Sequence, residues 1–135
     1  MNKTDFIKAV KDLKLKPEDY IVIGSGILVA LGIRGADDVD IVVSNDAFDK
    51  LAKDTKWLSK LLEDGTQILI KDIYEVGLDR ELQNAHPTLK ELKQDQVIID
   101  DIPFISLKQL MDLKLKRGLE KDMKDIDLIK RINGT

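Results

Sequence analysis

The sequence predicts one mixed α+β domain, in which a mixed β-sheet is flanked by helices and further helices follow at the C-terminal end. Short apolar runs rich in β-branched residues alternate with segments of helical periodicity. The length of 135 residues fits a single domain, and no internal repeat, linker or low-complexity tract divides the chain. We therefore treat residues 1–135 as one unit.

The first half of the chain is predicted to alternate between helix and strand. Thr4 is expected to cap an opening helix that ends at Lys16-Pro17. The apolar run at residues 20–23 is typical of a buried strand. Residues 27–33 form a short helix that is apolar on all sides and is therefore expected to be buried. A second strand is predicted at residues 38–43.

In the middle of the chain, helices are predicted from Asp46 to about residue 53 and again near residues 57–62. Residues 67–70 and 73–78 are predicted to be strands, which suits a hairpin. The polar stretch at residues 84–94 is expected to be a loop or a short helix. Residues 97–99 complete the predicted strands.

The C-terminal part is predicted to be helical. Ser106 fits a capping box in which the Gln109 side chain reaches back, and the helix runs to about Arg117 before Gly118. A last helix follows, with Asn133-Gly134 at the end of the chain. Its apolar positions at helical spacing are Leu119, Met123, Ile126 and Ile129.

Composition limits the classes of function. Charged residues make up 35% of the chain but the net charge is only −3, so no DNA-binding signature is present. The absence of cysteine excludes disulfides, thiolate metal sites and a cysteine nucleophile. No stretch resembles a signal peptide or reaches membrane-spanning length. We expect a cytoplasmic protein without a membrane partner.

The first candidate site is Gly24-Ser25-Gly26, between a predicted strand and a predicted helix. Glycine lets a phosphate approach the backbone closely, free N–H groups bind anions, and Ser25 adds a hydroxyl. The alternative is a tight turn that needs glycine only for its backbone angles. A P-loop is excluded because no Gly-Lys-Ser/Thr triplet follows, and a dinucleotide-binding GxGxxG pattern fails at Val29.

The second candidate site is Asp38-Val39-Asp40. Because side chains alternate along a strand, Asp38 and Asp40 point to the same face and Val39 to the core. Adjacent carboxylates repel each other, and Mg²⁺ is the natural compensating ion because it takes oxygen ligands. Two such ions would hold an attacking and a leaving oxygen in line. The alternative is an exposed acidic turn that includes Asp37.

Together these segments resemble the signature of the nucleotidyltransferase superfamily, with its polymerase-β-like fold: Gly-Ser, a short gap and then Asp-x-Asp. Leu31-Gly32-Ile33-Arg34 is similar to a segment of small bacterial members. Toward the end of the chain, Leu113-Lys114, Lys121-Asp122 and Asp125-Ile126 are similar to the terminal pattern of the minimal, AbiEii-like members. Leu119-Glu120 departs from that pattern, which often has an arginine just before Lys-Asp.

The resemblance implies residue roles. Gly24, Ser25 and Gly26 would hold the β- and γ-phosphates of a nucleoside triphosphate, and Asp38 and Asp40 would bind two Mg²⁺ ions. A third carboxylate would complete the catalytic set, for which Glu75 is preferred over Asp79 and Asp72. The further candidates for nucleotide binding are Arg34 and Lys114, with weaker roles open to Lys121 and Lys124.

Other residues have simpler interpretations. Asp122 and Asp125 are expected to orient basic neighbours. His86 is the single histidine of the chain, and one histidine without partners is poor support for a metal site. Trp57 is expected to belong to the core.

The resemblance implies transfer of a nucleoside monophosphate from a nucleoside triphosphate to a small molecule, an RNA end or a protein hydroxyl. AbiEii-like members act as toxins of toxin–antitoxin pairs. The alternative is a module of the same fold that binds a nucleotide or a partner without catalysis. Because the chain is close to the minimum for this fold, a helical partner subunit or a second copy could complete the site.

Overall fold

A seven-stranded mixed sheet forms the centre of the protein, and the computed structural model describes residues 1–132. The strands are β1 (Tyr20–Val22), β2 (Val39–Val43), β3 (Leu58–Leu61), β4 (Gln67–Lys71), β5 (Tyr74–Leu78), β6 (Val97–Ile99) and β7 (Ile102–Phe104). Their order across the sheet is β3-β4-β5-β2-β1-β7-β6. β2 runs parallel to β5 and antiparallel to β1, whereas β1 runs parallel to β7.

Helices cover both faces of this sheet. They are α1 (Lys3–Asp12), α2 (Gly26–Ala30), α3 (Asn45–Ala52), α4 (Leu89–Leu92), α5 (Leu107–Arg117) and α6 (Met123–Ile132), with single 3₁₀ turns at Pro17–Asp19, Arg80–Gln83 and Glu120–Asp122. In the described part of the chain, no helix has the length and apolar character that a bilayer crossing requires. The predicted chain end at Asn133-Gly134 lies outside the described residues.

Strand β2 separates the two faces of the domain. Val39, Ile41 and Val43 are fully buried, whereas Asp40 is only partly buried on the opposite face. Helix α1 packs on the valine face, where the Tyr74 hydroxyl donates to the carbonyl oxygen of Ala9 at 2.7 Å. The face that carries Asp40 is therefore left for helices α5 and α6.

The helix predicted near residues 57–62 is wrong. Residues Leu58–Leu61 form edge strand β3, whose backbone pairs with β4, and Leu58 and Leu61 are 66% and 69% exposed. Trp57 is buried, as expected, but precedes this strand. The apolar spacing of this segment suggested a helix. The strand forms instead because its backbone pairs with β4, and such pairing at a sheet edge needs no buried side chains.

Two smaller predictions also need correction, and one strand was missed. The cap of α1 is Asn2 and not Thr4, because the Asn2 side chain accepts from the Asp5 amide. Ser106 does cap α5, but Gln109 bonds to other groups and does not complete the capping box. Strand β7 was not predicted, because the hairpin turn at Asp100-Asp101 lacks the glycine usual where φ is positive.

Gly26 is required by the packing of α2. A Cβ at this position would lie 2.4 Å from Val22 Cγ1 and 3.0 Å from Phe6 Cζ, and both side chains are buried. We expect Gly26→Ala to lower the free energy of unfolding by about 1–3 kcal/mol, because overpacking displaces these side chains. Urea denaturation measures this change.

Gly77→Ala is the matched control for this substitution. A Cβ at Gly77 would meet its nearest neighbours at 3.8 Å, which is ordinary contact. The control should therefore change stability by no more than about 0.5 kcal/mol. Equal effects of the two substitutions would contradict the packing argument.

Candidate functional site

Two carboxylates are neighbours where β2 and β5 run side by side, and a third is near enough for its charge to act on one of them. Asp40 on β2 is the register partner of Glu75 on β5, and partners on neighbouring parallel strands point to the same face of the sheet. Asp38 lies just before β2 and is exposed. The structure thus brings the predicted Asp38, Asp40 and Glu75 into one region.

The Asp40 carboxyl carries the electrostatic cost of this arrangement. Burial raises the pKa of Asp40 to about 6, and the negative charges of Glu75 and Asp38 act in the same direction. A side-chain hydrogen bond with Glu75 also contributes, while the positive charge of Arg117 opposes the rise. The site therefore contains negative charge that the protein itself does not neutralise.

The Gly24 loop lies directly against Asp40. Gly24 has a φ of +63°, and a Cβ built on it would lie 3.2 Å from Asp40 Oδ2. The amide of the preceding residue, Ile23, donates to the Asp40 carbonyl oxygen at 2.9 Å. A side chain at Gly24 would be strained in its backbone and would crowd the carboxylate. Glycine thus permits close contact between this loop and the acidic cluster, which consists of Asp38, Asp40 and Glu75.

The Ser25 side chain points away from its own helix. It makes no capping hydrogen bond in α2, and its hydroxyl donates to Asp125 Oδ2 at 2.8 Å. The Arg34 guanidinium donates to the same oxygen, also at 2.8 Å. The predicted nucleotide-binding residues Ser25 and Arg34 are therefore both joined to the C-terminal helix α6.

Lys114 joins helices α5 and α6 in the same network. Its ammonium lies 3.0 Å from Asp122 Oδ1 and 3.1 Å from Asp125 Oδ2, and its side chain is 8% exposed. Asp122 also accepts from Arg117. The network contains three cationic side chains and two carboxylates, so one positive charge is in excess.

These contacts determine the ionisation of both aspartates. Arg117, followed by Lys114, holds the pKa of Asp122 below its usual range despite burial. Burial alone would raise the pKa of Asp125, but bonds from Ser25 and Lys114 and the charge of Arg34 outweigh it and lower the pKa. The expectation that these aspartates orient basic neighbours agrees with this arrangement.

Two cavities meet at Asp40 and Ile23. The smaller, of about 220 Å³, is lined by polar groups that include Ser25, Arg34 and Asp38. The larger, of about 500 Å³, is lined by Gly24, Asp40, Glu75, Leu110, Leu113 and four cationic side chains. Those four are Arg80, Lys114, Lys116 and Arg117. The acidic cluster therefore faces two spaces, and each contains positive charge.

The two other candidates for the third carboxylate have different surroundings. Asp79 Oδ1 accepts from the amides of Glu81 and Leu89, so it caps two chain segments. Asp72 lies in the β4–β5 turn with a φ of +51°. Burial raises the pKa of Tyr74 on the opposite face, and the charges of Asp12 and then Asp72 add to that rise. Of the three, only Glu75 lies beside Asp40.

The sequence interpretation identified Lys114 but missed the other three cations of the larger cavity, which are Arg80, Lys116 and Arg117. Arg117 ends α5 and is near enough to Asp40 for each charge to shift the other's pKa. It also donates to Asp122. Arg117, Arg80 and Lys116 were overlooked because the sequence does not distinguish a cation that lines a cavity from one on the open surface. A helical projection of α5 with Lys114 could have placed Arg117 near the same face.

The remaining candidates contribute little to the site. His86 Nδ1 lies 2.6 Å from Glu91 Oε1 at the surface, away from the acidic cluster. Lys121 and Lys124 are exposed. Within residues 1–132, no three carboxylate or imidazole groups are close enough to form a ready metal-ligand set.

Comparison with known proteins establishes the fold. No protein-family model matches the sequence, and no curated protein matches it significantly. Among solved structures, the chain is similar to a Thermotoga maritima protein described as a "putative nucleotidyltransferase", with a TM-score of 0.60 and 17% identity. The match covers 100% of this chain and 97% of that one. The chain therefore has a nucleotidyltransferase-like α+β fold, as the sequence predicted.

Proposed function

We propose that this protein is a Mg²⁺-dependent nucleotidyltransferase that moves a nucleoside monophosphate from a nucleoside triphosphate to an acceptor hydroxyl. The supporting observation is that Asp40 lies beside Glu75 and the Gly24 loop, and close enough to Asp38 for their charges to interact, in a fold of this class. Within that class we propose a small, AbiEii-like member, because the network of Lys114, Asp122 and Asp125 uses the residues of the terminal sequence pattern.

The acidic cluster fits a divalent cation. Its donors are carboxylate oxygens, which Mg²⁺ prefers. Burial raises the pKa of Asp40, and the negative charges of Glu75 and Asp38 raise it further, so a bound cation would favour the ionised carboxylate. Asp38 and Asp40 would bind the metal. When bound, Mg²⁺ would neutralise phosphate charge and align the attacking and leaving oxygens.

The protein's own groups have separate roles in this proposal. Glu75 would accept the proton of the acceptor hydroxyl, whose oxygen forms a bond to the α-phosphorus while the bond to the β-phosphate bridging oxygen breaks. Pyrophosphate then leaves. The backbone amides of the Gly24-Ser25-Gly26 loop and the Arg34 side chain would hold phosphate oxygens. Lys114 has one ammonium N–H beyond its two carboxylate contacts, which is available to a phosphate.

A non-catalytic nucleotide-binding or partner-binding module is the alternative function. It would be favoured by an apolar surface opposite Asp40. The neighbouring position holds Glu75, a carboxylate that can serve as a general base in catalysis. The enzyme proposal is therefore the better supported of the two.

Calorimetric titration with the four ribonucleoside triphosphates, with and without Mg²⁺, tests this proposal. We expect the wild type to bind at least one triphosphate only when Mg²⁺ is present. The Asp38→Asn/Asp40→Asn double variant should weaken that binding by at least about a hundredfold, because the charges that hold the metal are removed.

Asp72→Asn is the matched control. It removes one carboxylate close to the site in sequence, and asparagine tolerates the positive φ of this turn. The control should bind the nucleotide like the wild type. Failure of the wild type to bind any triphosphate, or equal binding by the double variant, would refute the proposed function.

A further inference from the structure

One carboxylate oxygen connects three of the proposed phosphate-binding residues. Asp125 Oδ2 accepts from Ser25 Oγ at 2.8 Å and from Arg34 at 2.8 Å, and lies 3.1 Å from Lys114 Nζ. Ser25 is 100 residues from Asp125 in sequence and Arg34 is 91. The contacts thus join the Gly-Ser loop, the segment after α2 and helix α5 to a single point on α6.

Asp125 makes these contacts from behind the site. Its side chain is 7% exposed, and it is not among the residues that line either cavity at Asp40. Ser25 and Arg34 line the smaller cavity, and Lys114 lines the larger one. A ligand in these cavities would meet the three donor side chains and not Asp125 itself.

The single hydroxyl proton of Ser25 limits its role in phosphate binding. A serine hydroxyl has one proton, and here it is given to Asp125. While that bond exists, Ser25 cannot donate to a phosphate, so its contribution is to fix the loop. Arg34 differs, because a guanidinium has five N–H groups and only part of them bond Asp125 and the Gly35 carbonyl oxygen.

We infer that Asp125 is a positioning residue for the triphosphate end of the substrate. It holds the Ser25 loop and aims the Arg34 and Lys114 cations, and it touches no reacting atom. The inference depends on the proposed function, since it assigns a task at the same site. It goes further by placing the control of phosphate binding on helix α6, at a residue that does not face the substrate.

The test compares nucleotides that differ in phosphate number. In Asp125→Asn, a neutral amide replaces the carboxylate that orients three donors. We expect the Kd of the triphosphate, measured by calorimetry in Mg²⁺, to rise about tenfold. The Kd of the corresponding monophosphate should stay within about twofold, because the monophosphate lacks the β- and γ-phosphates. A purely structural role would lower the folded fraction and weaken both nucleotides equally.

Two further variants support the test. Asp127→Asn changes an exposed aspartate on the same helix and should leave both affinities unchanged. Asp125→Glu keeps the charge but displaces it by one methylene, so it should give a smaller loss that is again confined to the triphosphate. It also replaces Asp125→Asn as the test variant if the latter does not fold.

The outcomes separate the inference from the proposed function. If the wild type binds the triphosphate and the Asp125 variants bind it equally well, or lose both nucleotides in parallel, only the inference is overturned. If the wild type binds no triphosphate, the proposed function fails and the inference fails with it. A loss confined to the triphosphate supports both.

Discussion

Replacing Asp122 with alanine should lower the free energy of unfolding by about 3–5 kcal/mol at pH 7. Asp122 is 2% exposed and bonds both Lys114 and Arg117. The buried Lys114 ammonium contacts both Asp122 and Asp125 in the wild type, so loss of Asp122 leaves it with Asp125 alone. Removing one member of a buried ion pair is costly because the remaining charge keeps its desolvation penalty.

The effect of Asp122 should depend on pH in a defined direction. Its pKa is held below the unfolded value, so the unfolded chain binds more protons than the native protein at acidic pH. The stabilisation is complete above the unfolded pKa of about 3.9 and is lost as pH falls through the folded pKa. The stability difference between wild type and variant should thus be constant from about pH 5 to 7 and narrow below about pH 4.

Urea denaturation across this pH range measures the effect, and Asp127→Ala is its control. Asp127 is an exposed acid on α6, and its loss should change stability by no more than about 0.5 kcal/mol. A second comparison adds Lys114→Met to Asp122→Ala. The second substitution removes the buried ammonium, which then has only Asp125 of its two carboxylate partners, and it should recover part of the loss. A small, pH-independent effect of Asp122→Ala would mean that the buried pair does not stabilise the fold.

The order of elements was largely predictable because it depends on local patterns. The apolar run of β1, the turn at Gly24 before α2 and the end of α5 at Arg117 before Gly118 all follow from short-range chemistry. Errors arose where tertiary contacts override that chemistry. Edge strand β3 satisfies its backbone through β4 and leaves its leucines exposed, so its side-chain spacing gave the wrong element.

The site was predictable where one short run of sequence carries it and not where distant segments meet. Asp38 and Asp40 are only two residues apart, so they lie near each other although Asp38 precedes β2. The pairing of Asp40 with Glu75 depends on the register of β2 against β5, which no local pattern specifies. The contact of Ser25 with Asp125 spans 100 residues and depends on how α6 packs. Only the assembled fold defines it.

Asp40→Asn should stabilise the metal-free protein by about 1–2 kcal/mol at pH 7 and remove Mg²⁺-dependent triphosphate binding. Burial, together with the charges of Glu75 and Asp38, raises the pKa of Asp40 to about 6. An ionised Asp40 is therefore unfavourable in the folded protein at neutral pH. The neutral amide of asparagine removes the cost of this charge. The expected gain of about 1–2 kcal/mol is kept small because solvent screens a partly exposed side chain.

The sign of the pH dependence is opposite to that of Asp122. Because the folded pKa of Asp40 is raised, the native protein binds more protons than the unfolded chain between about pH 4 and 6. The free energy of unfolding of the wild type should therefore fall as pH rises through that range, because protonation of Asp40 no longer favours the folded state. The advantage of Asp40→Asn should be near zero at pH 4, grow up to about pH 6 and then remain constant.

Thermal or urea unfolding in EDTA, followed by triphosphate titration in Mg²⁺, tests both parts on one variant. Asp72→Asn serves as control and should match the wild type in stability to within about 0.5 kcal/mol, and in binding. A gain that does not vary with pH would show that titration of Asp40 is not its cause. A variant that is more stable yet unable to bind the triphosphate cannot have lost binding through unfolding. That result would mean that the negative charge of Asp40 destabilises the metal-free fold. It would also mean that the same charge is needed to bind the metal.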